Sequence, residues 1–136
     1  MSAIYVDTSA LAKLLIAEPE SSAVAELLAP ATVLTSELAA LELACTARRR
    51  GLTSWAPHIE AILEIADILP LDAETLASAQ GTATQPPLRA LDALHLASAR
   101  RLQSKVPELA LACYDADLTA AARSAGFDVL APVADA

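Results

Sequence analysis

Glycine is scarce in this chain, and its scarcity excludes one class of site at once. Gly51, Gly81 and Gly126 stand alone, so no glycine-rich loop is present to cradle a nucleotide phosphate. Gly51 and Gly126 instead fall where helices are expected to end. Cysteine is nearly absent too: Cys45 and Cys113 both lie inside apolar segments. They make no zinc pattern with His58 and His95, which lie far from them in sequence. Two such cysteines read as free thiols in a reducing, cytoplasmic setting. No apolar run is long enough to span a bilayer, so a soluble protein with no membrane partner is expected. No basic segment precedes an apolar one at the N-terminus, so no secretory signal is expected. Positive charge is also in deficit. The formal net charge of −8 argues against broad, non-specific nucleic-acid binding, which uses a basic face. It leaves open an enzyme whose acids hold a metal that in turn holds a phosphate.

What is present is apolar: 55% of the 136 residues are hydrophobic, enough for a sizeable core. With no repeat, linker or composition break, residues 1–136 read as one domain. Ala3 to Val6 is a short β-prone run that stops at Asp7, after which the helix-capping types Thr8 and Ser9 open a helix to about Ala17. Pro19 then suits the first turn of a helix over Glu20 to Leu28. Thr32 to Thr35 is a candidate strand, and Ser36 can cap a helix running to about Arg50. A helix over Ser54 to Ala66, a weak strand at Ile68-Leu69 and an Asp72-capped helix from Ala73 to about Thr82 follow. Gln85-Pro86-Pro87 is a loop. Beyond it come a long helix from Leu88 to Ser104, a strand from Leu109 to Cys113, a helix over Leu118 to Ser124 and a strand from Phe127 to Leu130. Strands alternating with helices predict an α/β fold with a mainly parallel sheet covered on both faces.

Four acids stand where acids need a reason. Asp7 ends the first strand, at the edge where parallel sheets bind ligands; the competing reading is an ordinary helix cap. Glu42 falls within an apolar stripe of Leu38, Leu41 and Cys45, and a carboxylate facing the core side is costly unless paired or bound to metal. Pairing with Arg48, Arg49 or Arg50 is its structural alternative. Asp92 sits one turn into a helix that is apolar nearly all round, where a dipole role competes with a functional one. His95, three residues on, reads as a supporting hydrogen-bonding residue. Asp115 repeats the strand–acid–helix arrangement of Asp7, and Asp117 is read as the cap of the helix behind it. Clustered carboxylates raise one another's proton affinity unless a cation neutralises them. All-oxygen ligands select Mg²⁺ or Mn²⁺, and such an ion suits phosphodiester hydrolysis.

With these segments in hand, the chain resembles the PIN-domain family, and within it the VapC-type toxins of bacterial toxin–antitoxin pairs. The matching stretches are Val6-Asp7-Thr8-Ser9-Ala10-Leu11, Ser36 to Glu42, Leu91-Asp92-Ala93-Leu94-His95-Leu96-Ala97 and Tyr114-Asp115-Ala116-Asp117-Leu118. The resemblance implies a three-layer α/β/α sandwich and a Mg²⁺-dependent endoribonuclease. It makes Asp7, Glu42, Asp92 and Asp115 the acidic quartet that binds metal, with Thr8 or Ser9 orienting Asp7. One departure is Cys113, where the family often has Thr or Ser two residues before the fourth acid. Arg48, Arg49 and Arg50 are candidate RNA-phosphate contacts, with a solvated helix end as the alternative. The resemblance further implies a cognate VapB-like antitoxin and a homodimer. Leu14, Leu15, Val24, Leu27 and Leu28 could form the groove for a partner helix, and Trp55 with the helix after it could contribute to the dimer. Competing functions on the same residues are a Mg²⁺-dependent phosphatase, a DNA nuclease, or a non-catalytic binding domain.

Overall fold

The run Ala3–Val6 forms β1, and its alternation assigns the two faces of the sheet, since successive strand residues point to opposite sides. In the computed structural model, which describes residues 2–82 and 88–134, Ile4 and Val6 face one core cluster and Tyr5 the other. The Ile4–Val6 side is covered by α1 (Thr8–Leu15), α2 (Ser21–Leu28), α3 (Leu38–Arg49) and α4 (Ala56–Glu64). The Tyr5 side is covered by α6 (Ala90–Gln103) and α7 (Ala116–Ser124), with α5 (Ala73–Thr82) packed on α6. The result is the expected three-layer α/β/α sandwich. The loop expected at Gln85-Pro86-Pro87 lies outside the described residues.

The strands β2 (Thr32–Ser36), β3 (Ala66–Leu69), β4 (Ala110–Ala112) and β5 (Val129–Leu130) join β1 in the order β3-β2-β1-β4-β5. Every pairing is parallel. The chain leaves β1 for β2 on one side and later returns to β4 on the other. A crevice therefore opens at the carboxyl ends of β1 and β4, the switch point where such sheets bind ligands. Gly51 and Gly126 follow α3 and α7 with positive φ of 66° and 93°, as helix-ending glycines do.

Three local expectations change. The helix expected over Ser54 to Ala66 stops at Glu64, and Ala66 and Asp67 belong to β3, because pairing with Val33 and Leu34 of β2 claims them. Asp117 is not the cap of α7: the helix begins earlier, and Asp115 Oδ1 accepts the Leu118 N–H at 2.9 Å. The expected partner groove is partly filled, since Val24 and Leu28 are closed into the core and Leu14, Leu15 and Leu27 pack against it. Leu14 and Leu28 still edge a hollow of about 280 Å³ with Ile65. Trp55, at the N-terminus of α4, is half-buried against the same core with the Arg48 guanidinium 5.2 Å from its ring centroid.

Candidate active site

Strand β1 ends at Val6, and the next residue does two jobs. Asp7 is 3% exposed, and its backbone N–H continues the sheet to Ala112 O at 3.1 Å. Its Oδ1 caps α1 by accepting the Ala10 N–H at 3.2 Å. The cap and the crevice acid are thus one residue. Ser9 Oγ donates to the same Oδ1 at 2.6 Å and accepts the Tyr114 N–H at 2.9 Å. That hydroxyl ties Asp7 to the loop carrying Asp115. On the other oxygen, Cys113 Sγ lies 3.5 Å from Asp7 Oδ2 and accepts the Asp115 N–H at 3.2 Å. Burial, and next the charge of Asp7, push the Cys113 thiol up to about 12, so the thiol here is neutral and unreactive.

Asp7, Glu42, Asp92 and Asp115 all line one cavity of about 320 Å³, together with Thr8, Ser9 and His95. Asp117 lies in the first turn of α7 and is not among the described residues lining it. Glu42 is presented by α3 on the cavity side. The stripe of Leu38, Leu41 and Cys45 lines this cavity as well, and Leu41 is 62% exposed. The core face of α3 is instead Ala39, Leu43 and Ala47, with Leu38 buried at the border of the two faces. Glu42 therefore sits on the cleft side of its helix, and its partners come from α1 and α6. Thr8 Oγ1 donates to Glu42 Oε1 at 2.7 Å, and His95 Nε2 approaches the same oxygen at 2.6 Å. Tyr5, which the sequence does not mark as functional, closes the chain from below with its hydroxyl 2.8 Å from His95 Nδ1.

The four acids are held differently. Burial pushes Asp7 above the usual carboxylate range, against hydrogen bonds from Ser9, Ala10 and Cys113 and the charge of His95. Burial, then the charges of Asp115 and Asp7, raise Asp92 to about 6. Glu42 goes the other way: burial opposes ionisation, but the His95 and Thr8 hydrogen bonds and the charges of His95 and Arg49 hold it below its ordinary value. Burial also pushes the Tyr5 phenol up, so it keeps its proton.

The three arginines diverge. Arg49 lines the cavity, Arg48 stacks on Trp55, and Arg50 pairs with Glu18 at 3.6 Å.

The donor set can be tested against a metal. Among the described residues, no three His, Cys, Asp or Glu side chains form a group that could hold an ion by themselves. A closed protein cage is thereby ruled out for the described residues. A hydrated Mg²⁺ or Mn²⁺ needs only one or two carboxylates and keeps its waters. The site suits that demand: both hydrogen bonds to Glu42 fall on Oε1, the cap bond to Asp115 falls on Oδ1, and Asp92 accepts no hydrogen bond from a described residue. Each of these acids keeps an oxygen that accepts no hydrogen bond from a described residue.

Comparison with known proteins places this geometry. The PIN domain family matches residues 4–124. Ribonuclease VapC35 of Mycobacterium tuberculosis is 39% identical over 132 residues, covering 95% of this chain and 96% of the relative. Ribonuclease VapC47 of the same species is 36% identical over 136 residues, covering 95% and 96%. Among solved structures, the sarcin–ricin-loop-cleaving toxin VapC20 of M. tuberculosis superposes with a TM-score of 0.74 at 23% identity, covering 95% of this chain and 99% of that one. A toxin–antitoxin complex from Klebsiella pneumoniae gives 0.70 at 19% identity, covering 98% and 100%.

Proposed function

The chain belongs to the PIN domain family, and from that premise we propose that it is a VapC-type endoribonuclease toxin whose acidic quartet works with Mg²⁺ or Mn²⁺. The observation that carries the reading is the convergence of Asp7, Glu42, Asp92 and Asp115 on one cavity at the β1/β4 switch point. The similarity to VapC ribonucleases over nearly the whole chain supports it. Asp7 and Asp92 would be the principal metal ligands, with Glu42 and Asp115 completing the acidic shell. When bound, the ion supplies charge neutralisation at the scissile phosphate and makes water a competent nucleophile at neutral pH. The chain's own residues do the rest. Ser9 and the Ala10 N–H hold Asp7 Oδ1, and the Cys113 thiol lies against its Oδ2, which fixes the orientation of the carboxylate. Thr8 and His95 hold Glu42 ionised on Oε1. Leu41 and Leu91 give the cavity apolar walls.

Arg49 is the cation placed to meet an RNA phosphate. Arg49→Ala is expected to raise KM for RNA by about 3- to 10-fold, to lower the salt slope of binding by roughly one, and to leave kcat nearly unchanged. Arg48→Ala and Arg50→Ala serve as controls, since their partners are Trp55 and Glu18. Binding titrations across salt concentrations separate the three; equal losses at all of them would remove Arg49 from the site.

The reading as a whole is tested by offering the purified protein RNA, DNA and a phosphomonoester with and without Mg²⁺. RNA cleavage that requires the metal is the expected result, and mapping cleavage ends in cellular RNA after induction gives the target. Preference for DNA or the monoester would replace the ribonuclease reading. As a toxin it would be held by a cognate VapB-like antitoxin and would act as a homodimer. Co-expression with the neighbouring small open reading frame should yield a complex that cleaves RNA far more slowly than the free protein.

A further inference from the structure

We infer that Leu41 and Leu91 form an apolar clamp for the nucleobase beside the scissile phosphate, so that the chain cuts RNA where that nucleotide is unpaired. The inference deepens the ribonuclease reading and rests on it.

Each leucine immediately precedes an acid of the quartet, Glu42 on α3 and Asp92 on α6. Both line the acidic cavity, and both are exposed, Leu41 by 62% and Leu91 by 46%. A lone exposed leucine is ordinary, but two that flank one cavity form an apolar surface for a ligand to cover. Single-stranded bases are usually held on aromatic rings, and this site offers none. Among the described residues lining the cavity there is no Phe, Tyr or Trp, and the His95 ring is buried. Tyr5 and Phe127 belong to the core, Trp55 lies against Arg48 and Tyr114 against Lys13. The leucines are the large apolar surfaces left beside the acids.

The wall formed by α3 gives the direction of the bound strand. Eight residues of helical rise put Arg49 about 12 Å beyond Leu41 along the axis, with Glu42 between them. A strand with its scissile phosphate at the acids therefore sends a neighbouring phosphate toward Arg49 and lays a base toward the leucines on the other side. Electrostatics makes that base contact matter. Arg49 is the one basic side chain among the described residues lining the cavity, against four carboxylates, in a chain of net charge −8. A polyanion gains little general attraction there, so neutral contact has to supply much of the affinity. The flat apolar part of a nucleotide is the face of its base. In a duplex both faces are covered by stacked neighbours, and extruding a base costs least where it is already single-stranded. Contact with a base face tolerates any base, so the clamp selects an unpaired nucleotide and not a sequence.

The test offers the protein a short single-stranded RNA that it cuts, the same strand annealed to its complement, and strands carrying an abasic ribose on one side of the cut or the other. Wild type should cut the duplex at least about 10-fold more slowly, and one of the two abasic strands should raise KM about 10-fold with kcat nearly unchanged. Leu41→Ala and Leu91→Ala should each raise KM for the intact strand about 5-fold, and in the double variant the abasic ribose should cost nothing further. Both positions are exposed and alanine is a strong helix former, so these variants should melt like wild type and gain the same shift with Mg²⁺. Leu76→Ala is the control: Leu76 is also 46% exposed, lies on α5 and is not among the described residues lining the cavity, so KM should not move. Equal cutting of single strand and duplex overturns the inference, and so does an unchanged KM in the leucine variants or an abasic cost that persists in the double variant. Leucine variants that turn a dimer into monomers and keep their KM assign this surface to a contact between copies instead. If the wild type cuts no RNA, the ribonuclease reading fails separately. Fluorescence anisotropy of a labelled single strand then decides the clamp, and equal affinity for wild type and the double variant overturns it.

Discussion

Asp7→Asn is expected to abolish metal-dependent RNA cleavage, by about 10³-fold or more, while the fold stands. Loss of a residue that merely supports a metal ligand costs about 10–100-fold, and Asp7 is proposed as a ligand itself. The fold survives because Asn does the structural half of the work. Asn is as good a helix cap as Asp, and its amide oxygen can keep the Oδ1 bonds to the Ala10 N–H and the Ser9 hydroxyl. The substitution also removes a carboxylate that burial holds above its ordinary proton affinity. A group whose native pKa is raised destabilises the native state at neutral pH, where it must ionise. The melting temperature of Asp7→Asn should accordingly equal or exceed that of the wild type. Asp7→Ala is the informative contrast: it loses the cap as well, at a cost of about 1 kcal/mol, and should melt lower while being equally inactive. Single-turnover cleavage and thermal melts on the three proteins check this. Wild-type cleavage by Asp7→Asn would sink the proposed site, and unfolding of Asp7→Asn would show that the charge itself holds the fold.

That Asp7 could be both cap and site acid shows how far the sequence could be read. The strand–acid–helix signature at Val6-Asp7-Thr8 and Cys113-Tyr114-Asp115 is local chemistry, and it placed both acids at the sheet's carboxyl edge. The parallel sheet covered on both faces followed from alternation of strands and helices, and the three-layer sandwich from the family resemblance. What was illegible depended on packing between distant segments. On α3, apolar residues lie on the core face and on the cleft face alike, so a helical repeat could not tell Leu41 in the cleft from Leu43 in the core. The run Arg48-Arg49-Arg50 spreads over three directions around its helix, and only the positions of Trp55 and Glu18 separate them. Asp115 and Asp117 are two residues apart in a stretch where either could cap, and the choice came from where β4 ends. Tyr5 carries no signal of a link to the cavity, because an aromatic in a central strand reads as core; only the fold brings its hydroxyl to the His95 that contacts Glu42.

Asp92→Asn is expected to remove cleavage to the same degree and, in addition, to flatten the pH response of the metal-free protein. Asp92 sits in the first turn of α6, where the dipole favours a negative charge. Burial and the charges of Asp115, Asp7 and Glu42 outweigh that help and raise it to about 6 from an ordinary 3.8. Between those two values the native state binds a proton that the unfolded chain has released. Stability therefore falls as pH rises from about 4 to about 6, and changes no further from this group above that window. Asp92 is partly exposed, so solvent screening reduces the penalty to about 1 kcal/mol, or about 3–5 °C in melting temperature for a domain of this size. Asn carries no such penalty: Asp92→Asn should melt higher than wild type at pH 7.5 and the two should converge near pH 4. Asp7 contributes a slope of the same sign in both proteins, so the difference between the curves isolates Asp92. Added Mg²⁺ inverts the ranking. An ion bound to the native cluster and not to the unfolded chain stabilises by mass action, by about 2.7 kcal/mol at a hundred times its dissociation constant, and it does so through the charge that Asn lacks. Wild type should gain several degrees with Mg²⁺ and Asp92→Asn little. Melts over pH 4–8, each with and without Mg²⁺, give all four curves; equal metal shifts in the two proteins would place the ion elsewhere, and a flat wild-type curve from pH 4 to 6 would mean that Asp92 is not held among like charges.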